Sequence, residues 1–268
     1  MNMNITWSGT ATATSSISHG SETRGLVTML RRETIIAADN TPIAIPLISG
    51  NALRGRLRRT AEQLLCEVLD YRGQLTIAAA AALRSGGALA KTSAEPISGA
   101  RLAQLRQLVP LIGVFGTAGA GRIIDGCLQV GKLIPNATET AHLLPHTCPL
   151  SINDLTQIET YSRVDDTVRH DTLTDQIGDT QLQYRLETFR AGTTFDVWLN
   201  LSNPTVTEAA FFADVVKHYT DHATIAGRGG IGHGRLRLDL TCTATPEADW
   251  RTHTAANAAA AIDALNQL

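Results

Sequence analysis

From Ile5 to Ser18 apolar residues alternate with Thr and Ser, the two-residue period of a half-buried strand. A second extended pattern covers 25–36 and ends at the turn signal Asp39-Asn40-Thr41-Pro42. The period then changes. After Ser49, a residue type suited to an N-cap, the residues Leu53, Leu57, Ala61, Leu64, Leu65 and Val68 fall on one face and predict a helix over about 51–70. The alanine-rich stretch 76–90, broken by Gly86-Gly87, and the short pattern 99–109 predict a helical insertion. Strand signals return at 121–133. The polar segment 159–189 reads as a protruding loop or hairpin, 195–201 as a core strand, and 207–222 as an amphipathic helix carrying Ala210, Phe211, Val215 and Tyr219. A glycine-rich loop leads into a last strand at 235–243, and 249–268 reads as a terminal helix.

Taken coarsely, the core order is strand, helix, strand, strand, helix, strand. This predicts an α+β fold with a ferredoxin-like (RRM-like) core, a helical insertion at about 71–112 and a projecting β-hairpin at about 163–187, in one domain spanning 1–268. No Pro-, Ser- or Gly-rich linker separates two patterned halves. With 43% hydrophobic and 18% charged residues the chain can bury a sizeable core. The absence of a signal-peptide pattern and of any membrane-length apolar run predicts a soluble, cytoplasmic protein with no membrane partner. The four cysteines, Cys66, Cys127, Cys148 and Cys242, form no CxxC pair and are expected to be reduced.

The net charge is −2, less basic than is usual for a nucleic-acid coat. The type and placement of the cations weigh more. Of 23 basic residues only Lys91, Lys132 and Lys217 are lysines, and Arg24, Arg31, Arg32, Arg54, Arg56, Arg58 and Arg59 crowd the first quarter of the chain. An arginine fork suits phosphate oxygens, although the same residues also occur on solvated helix and strand faces.

The loop Gly227-Arg228-Gly229-Gly230-Ile231-Gly232-His233-Gly234-Arg235 contains G-x-G-x-x-G. It leaves a helix and enters a strand, the reverse of a dinucleotide-binding fingerprint. Its open backbone and flanking Arg228 and Arg235 suit a polyanion, and a helix-to-strand connection with a glycine C-cap is the plainer alternative.

Four stretches together resemble the RAMP superfamily (repeat-associated mysterious proteins), in particular the repeated backbone subunit of type III and type IV CRISPR complexes. The run Ile48-Ser49-Gly50-Asn51-Ala52-Leu53-Arg54-Gly55-Arg56-Leu57-Arg58 is similar to the family's helix start, with Ser49 in place of Pro and Asn51-Ala52 in place of Ser-Ser. Val114-Phe115-Gly116 is similar to its Leu-Phe-Gly. Arg163-Val164-Asp165-Asp166-Thr167 and Glu187-Thr188-Phe189-Arg190-Ala191-Gly192-Thr193-Thr194-Phe195 resemble the flanks of its thumb hairpin, and the glycine loop resembles its terminal signature.

The resemblance implies a subunit that binds guide RNA (crRNA), assembles with further copies of itself and with other effector subunits, and meets complementary target nucleic acid. Its implied RNA contacts are Ser49, Gly50, Asn51, Arg54 and Arg58 at the helix start and Gly227, Arg228, Gly229, Gly230, Gly232 and His233 in the loop. Arg24, Arg31 and Arg163 join them. The thumb, about 166–186, is expected to reach over the RNA and displace a nucleotide. With 4% aromatic residues, stacking on RRM-type sheet aromatics is not expected.

Neither a cofactor nor a metal is expected. His142, His146 and Cys148 fall in a stretch where Pro145 and Pro149 break up any helix and no fourth ligand stands nearby, and Asp165, Asp166, Asp171, Asp175 and Asp179 lack the glycine and closing glutamate of an EF-hand. The resemblance also offers Asp39 as the catalytic aspartate of a type III-like subunit that cleaves target RNA. An ordinary turn explains Asp39 as well, and a subunit without nuclease activity of its own, most like type IV, is the favoured reading. The alternatives are that ribonuclease, a guide-processing endonuclease using His19 or His233, and a nucleotide-binding metabolic enzyme.

Overall fold

The computed structural model describes residues 4–88, 97–119, 121–163 and 182–268. Strand β1 (Asn4–Ala13) leads into two hairpins, β2 (Gly20–Arg24) with β3 (Val27–Leu30) and β4 (Arg32–Ile36) with β5 (Pro42–Pro46), and then into helix α1 (Gly50–Leu69). Helices α2 (Ile77–Ser85), α3 (Gly99–Leu108) and α4 (Pro110–Phe115) follow, with short strands β6 (Thr117–Gly119), β7 (Arg122–Ile124), β8 (Leu128–Val130) and β9 (Ile134–Pro135). The short helix α5 (Ile152–Leu155) opens β10 (Thr156–Arg163), which pairs with β11 (Leu182–Phe189). After these come β12 (Thr194–Ser202), α6 (Val206–Asp221), β13 (Leu236–Cys242), α7 (Trp250–Ala256) and α8 (Ala258–Asn266).

The main sheet has the order β13-β1-β12-β8 with every neighbour antiparallel, and β9 adds to β12. Helix α1 lies between β1 and β8 in the chain, and α6 between β12 and β13. This is the expected ferredoxin-like arrangement, the fourth core strand beside the first and the third beside the second. Alternation decides the faces. Ile5, Trp7, Ala11 and Ala13 of β1 and Phe195, Val197, Leu199 and Leu201 of β12 are buried beneath the helices. The opposite face presents Thr and Ser side chains, Asp196, Asp239 and, as its one aromatic, Trp198 at 41% exposure. Such a face offers no aromatic pair for stacking bases.

The apolar stripe of α1 is buried as the periodicity predicts except at Val68, which is half-buried, and the helix begins directly after Ser49. Ser49 has the extended backbone of an N-cap but makes no side-chain capping bond. Helix α6 is better capped: Thr205 and Glu208 form a capping box, and Phe211, Phe212, Val215 and Tyr219 turn inward. Trp7 meets Phe212 edge-on at 5.1 Å between ring centroids.

Four expectations are revised. The single extended segment at 25–36 is two strands in different sheets, because Arg31 breaks the ladder and β3 joins β2 and β11 while β4 folds back on β5. The helical insertion holds three helices, the last starting at Pro110, where proline at a first-turn position is favourable. The terminal helix divides at Asn257 into α7 and α8. The hairpin's base extends further than expected, over 156–163 and 182–189, whereas residues 164–181, most of the expected thumb, lie outside the described residues.

Glu208 is the main buried charge behind this arrangement. Its side chain is 1% exposed, it bonds the guanidinium of Arg106 at 3.1 Å, and it accepts the Thr205 N–H at 2.8 Å. We expect Glu208→Ala to lower unfolding stability by about 2–4 kcal/mol in urea titrations, because it removes a helix cap and leaves Arg106 without its buried carboxylate. A decrease within ~0.5 kcal/mol, the range of an ordinary surface change, would show that the pair does not hold α3 to α6.

Candidate nucleic-acid interface

Helix α1 starts in the mouth of an open cleft of about 390 Å³ lined by Arg31, Glu33, Ser49, Gly50, Asn51, Arg54, Val130 and Lys132. The start is held from two sides. The Ser49 N–H donates to Nε2 of His19 at 3.2 Å, and the Ile48 N–H donates to Leu133. Gly50 sits so close to β8 that a Cβ there would lie 2.7 Å from the Val130 carbonyl oxygen. A 20-residue helix therefore points its first N–H groups and its positive dipole end into a cleft walled by three cations. Lys132 is partly offset by an ion pair with Glu33, while Arg31 is exposed and makes no side-chain bond among the described residues.

The arginines of the motif divide by function. Arg54 lines the cleft, yet its guanidinium also donates to the carbonyls of Leu128 (2.6 Å) and Phe115 (2.8 Å). Arg58 is a correction to the sequence reading. It is 7% exposed, and it donates to Leu83 (3.0 Å), Ala82 (3.4 Å) and Gly116, so it fastens α1 to the insertion and does not face the cleft. Burial, and then the charge of Arg54, bring its guanidinium down to about 10, still cationic at neutral pH. Arg56, to which the sequence assigns no place in the site, joins the two parts of the interface by donating to the Ala226 carbonyl at 2.5 Å.

Ala226 opens the glycine loop. Gly229–Ile231 make one 3₁₀ turn, and Arg228 before it takes a left-handed φ of 62°. Gly234, at φ 87°, is packed so tightly that a Cβ would lie 2.1 Å from the Ile225 oxygen. The N–H groups of Arg228, Gly229 and Gly230 have no acceptor among the described residues, and these residues are exposed. His233 is a second correction, being 3% exposed with both ring nitrogens engaged. Its Nδ1 lies 3.0 Å from Ser16 Oγ and its Nε2 2.7 Å from Tyr161 Oη. It is placed to hold the loop, not to touch a ligand.

Tyr161 in turn donates to Glu159, which also accepts from Thr188 at 2.7 Å and Gln157 at 2.9 Å. Burial raises the Glu159 carboxyl, but the hydrogen bonds from Tyr161, Thr188, Gln157 and Ser16 outweigh it and hold the group at about 2. At the base of the same hairpin Glu187, 7% exposed, accepts from the Leu30 N–H (2.8 Å) and forms a two-pronged ion pair with Arg32.

The remaining candidates lie apart. Arg24 is at the β2–β3 turn beside Glu22 and is not among the cleft residues. The Arg163 backbone ends β10 opposite Leu182; its side chain lies outside the described residues. Asp39 occupies the exposed turn of the β4–β5 hairpin, its Oδ1 accepting from the Thr41 N–H (3.0 Å) and hydroxyl (2.6 Å), a pattern that holds the carboxyl below its ordinary range. His19 is held below its ordinary value by burial and then by Arg31, and its Nε2 is already used by Ser49. Among the described residues no three His, Cys, Asp or Glu side chains converge to hold a metal ion. His142 Nε2 contacts the Ile36 carbonyl oxygen at 2.8 Å instead.

No family model matches the sequence, and no curated protein matches it. Among solved structures the chain is similar to one described as "Type IV-B CRISPR Complex", with a TM-score of 0.65 and 31% identity over 93% of this chain and 96% of that chain.

Arg58→Ala is expected to cost about 2–4 kcal/mol in urea unfolding, since it strands buried carbonyl oxygens; an unchanged midpoint would return Arg58 to the surface. The pH dependence has a definite sign. Glu159 and Glu187 are held below the ordinary glutamate value of 4.5, so the unfolded chain binds more protons. Their stabilisation is complete above that value and is lost as pH falls through it toward about 2. Thermal melts across that range should flatten in Glu159→Gln.

Proposed function

This chain belongs to the family of the type IV-B CRISPR complex subunit it matches, and we propose that within such an effector complex it is a RAMP-type backbone subunit that binds guide RNA and repeats along it. The observation that carries this reading is the convergence of Arg31, Ser49, Gly50, Asn51 and Arg54 on one cleft, tied through Arg56 to the exposed amides of the glycine loop. A helix N-terminus, unpaired loop amides and arginine forks all suit phosphate oxygens and none reads a base edge. Binding would then be blind to sequence, leaving target choice to pairing by the guide.

The protein is proposed to hold the strand without cutting it. Asp39 spends its Oδ1 on its own turn, His19 uses its Nε2 within the fold, and His233 uses both ring nitrogens there. Neither the ribonuclease nor the guide-processing alternative gains support from these contacts. The cytoplasmic setting and the reach of the thumb over the strand belong to the same proposal. So does assembly with copies of the chain and with other subunits. A net charge of −2 suits a subunit that buries much of its surface against neighbours.

Protein purified from cells that also express the guide locus should carry repeat-derived RNA, read by its absorbance ratio and by sequencing, in regular filaments under negative stain. Arg31→Glu and Arg228→Glu should each weaken RNA binding at least about tenfold and make the salt slope shallower by ~0.7 for every phosphate that is no longer neutralised, with melting temperature unchanged. Unaltered affinity in both variants would remove the cleft and the loop from the RNA path.

A further inference from the structure

Of the glycine loop's two exposed arginines, Arg228 and Arg235, the first has its direction set by another element. Tyr161 and Tyr184 face each other directly across β10 and β11, their rings stacked at 5.5 Å between centroids and 16° between planes. The guanidinium of Arg228 lies over the Tyr184 ring, 5.1 Å from its centroid. Tyr161 is itself fixed by its bond to Glu159, by the 2.7 Å contact to His233 Nε2, and by the edge of the His233 ring at 5.6 Å. His233 is in the same loop as Arg228, five residues on. The loop therefore closes on the hairpin at two points, one buried and polar, the other exposed and aromatic.

We infer that Tyr184, backed by Tyr161, is a positioning residue that holds the Arg228 guanidinium in place beside the free amides of the glycine loop, readying it for a phosphate of the bound strand. This rests on the RNA-binding reading above. A free arginine side chain must surrender rotamer entropy to meet a phosphate, and one already laid on an aromatic face has surrendered much of it. A cation over a ring is held by the ring quadrupole and keeps its guanidinium edge open to an anion. Glycines on either side leave Arg228 no neighbouring side chain to steer it, so the hairpin supplies what the loop lacks.

The test uses the full chain and a labelled single-stranded RNA, with affinity read by fluorescence anisotropy over a salt series. Tyr184→Leu should weaken binding about two- to fivefold, the effect of an exposed cation–π contact, and Tyr184→Phe should bind as the wild type does. Arg228→Lys, which keeps the charge and removes the flat fork, should bind more weakly in the wild-type background and cause no further weakening beside Tyr184→Leu. In the Arg228→Gln background Tyr184→Leu should likewise have no further effect. Additive effects, or wild-type affinity in Tyr184→Leu, would overturn the inference. Wild-type protein that fails to bind RNA would sink the RNA reading and this inference together. RNA binding that is indifferent to Arg228→Gln would sink this inference alone. Should Tyr184→Leu fail to fold, Tyr184→Thr, a strand former without an aromatic face, takes its place in the wild-type and Arg228→Gln backgrounds.

Discussion

The placement of α1 against β8 is the constraint from which the candidate interface follows. Only glycine fits at position 50, where a Cβ would meet the Val130 carbonyl, and that contact sets where the helix starts and which way its free N–H groups point. His19 holds the preceding N–H from the first hairpin, and the bridge between Ile48 and Leu133 pins the approach from the other side. A helix start with three independent supports is preorganised, so an anion meeting it orders little else.

Arginine in this chain serves two purposes that composition cannot separate. Arg54, Arg56 and Arg58 follow one another along little more than one turn of α1, and each donates to backbone carbonyls, Arg54 and Arg58 meeting at Phe115 and Gly116 and Arg56 reaching Ala226. A planar fork holds two carbonyls in a fixed geometry that the rotatable donors of an ammonium do not impose, which accounts for arginine over lysine at internal joints as well as it does at phosphates. The near-neutral charge loses some of its weight for the same reason. Several of the cations are internal fasteners, and two of the exposed ones, Arg31 and Arg228, stand where backbone amides add their own partial charge.

The second sheet ties the interface together. Arg32 and Glu187 fasten the second hairpin to β11, and the Glu159–Tyr161–His233 chain fastens β10 to the glycine loop. Groups far apart in sequence, at 16, 161 and 233, thus share one partly buried network centred on the buried His233, in which removal of a member leaves its partners short of bonds. His233 illustrates why a residue in a glycine-rich loop cannot be assigned by its neighbours alone: the loop is exposed, while its histidine is buried.

The sequence by itself determined the ferredoxin-like core, because two periods, alternation in β1 and β12 and the 3.6-residue stripe of α1 and α6, can each be buried in only one way. It also determined the start of α1 and the position of the glycine loop, both set by local residue types. What only the tertiary structure decided was which side chains of those motifs are free. Arg54 and Arg58 are one turn apart, yet one lines the cleft and the other is buried, and this depends on the carbonyls that the insertion brings to the helix. Arg56, Tyr161 and Tyr184 left no signal in the sequence, since their roles come from strand register and from pairings between segments far apart along the chain, which no local pattern encodes.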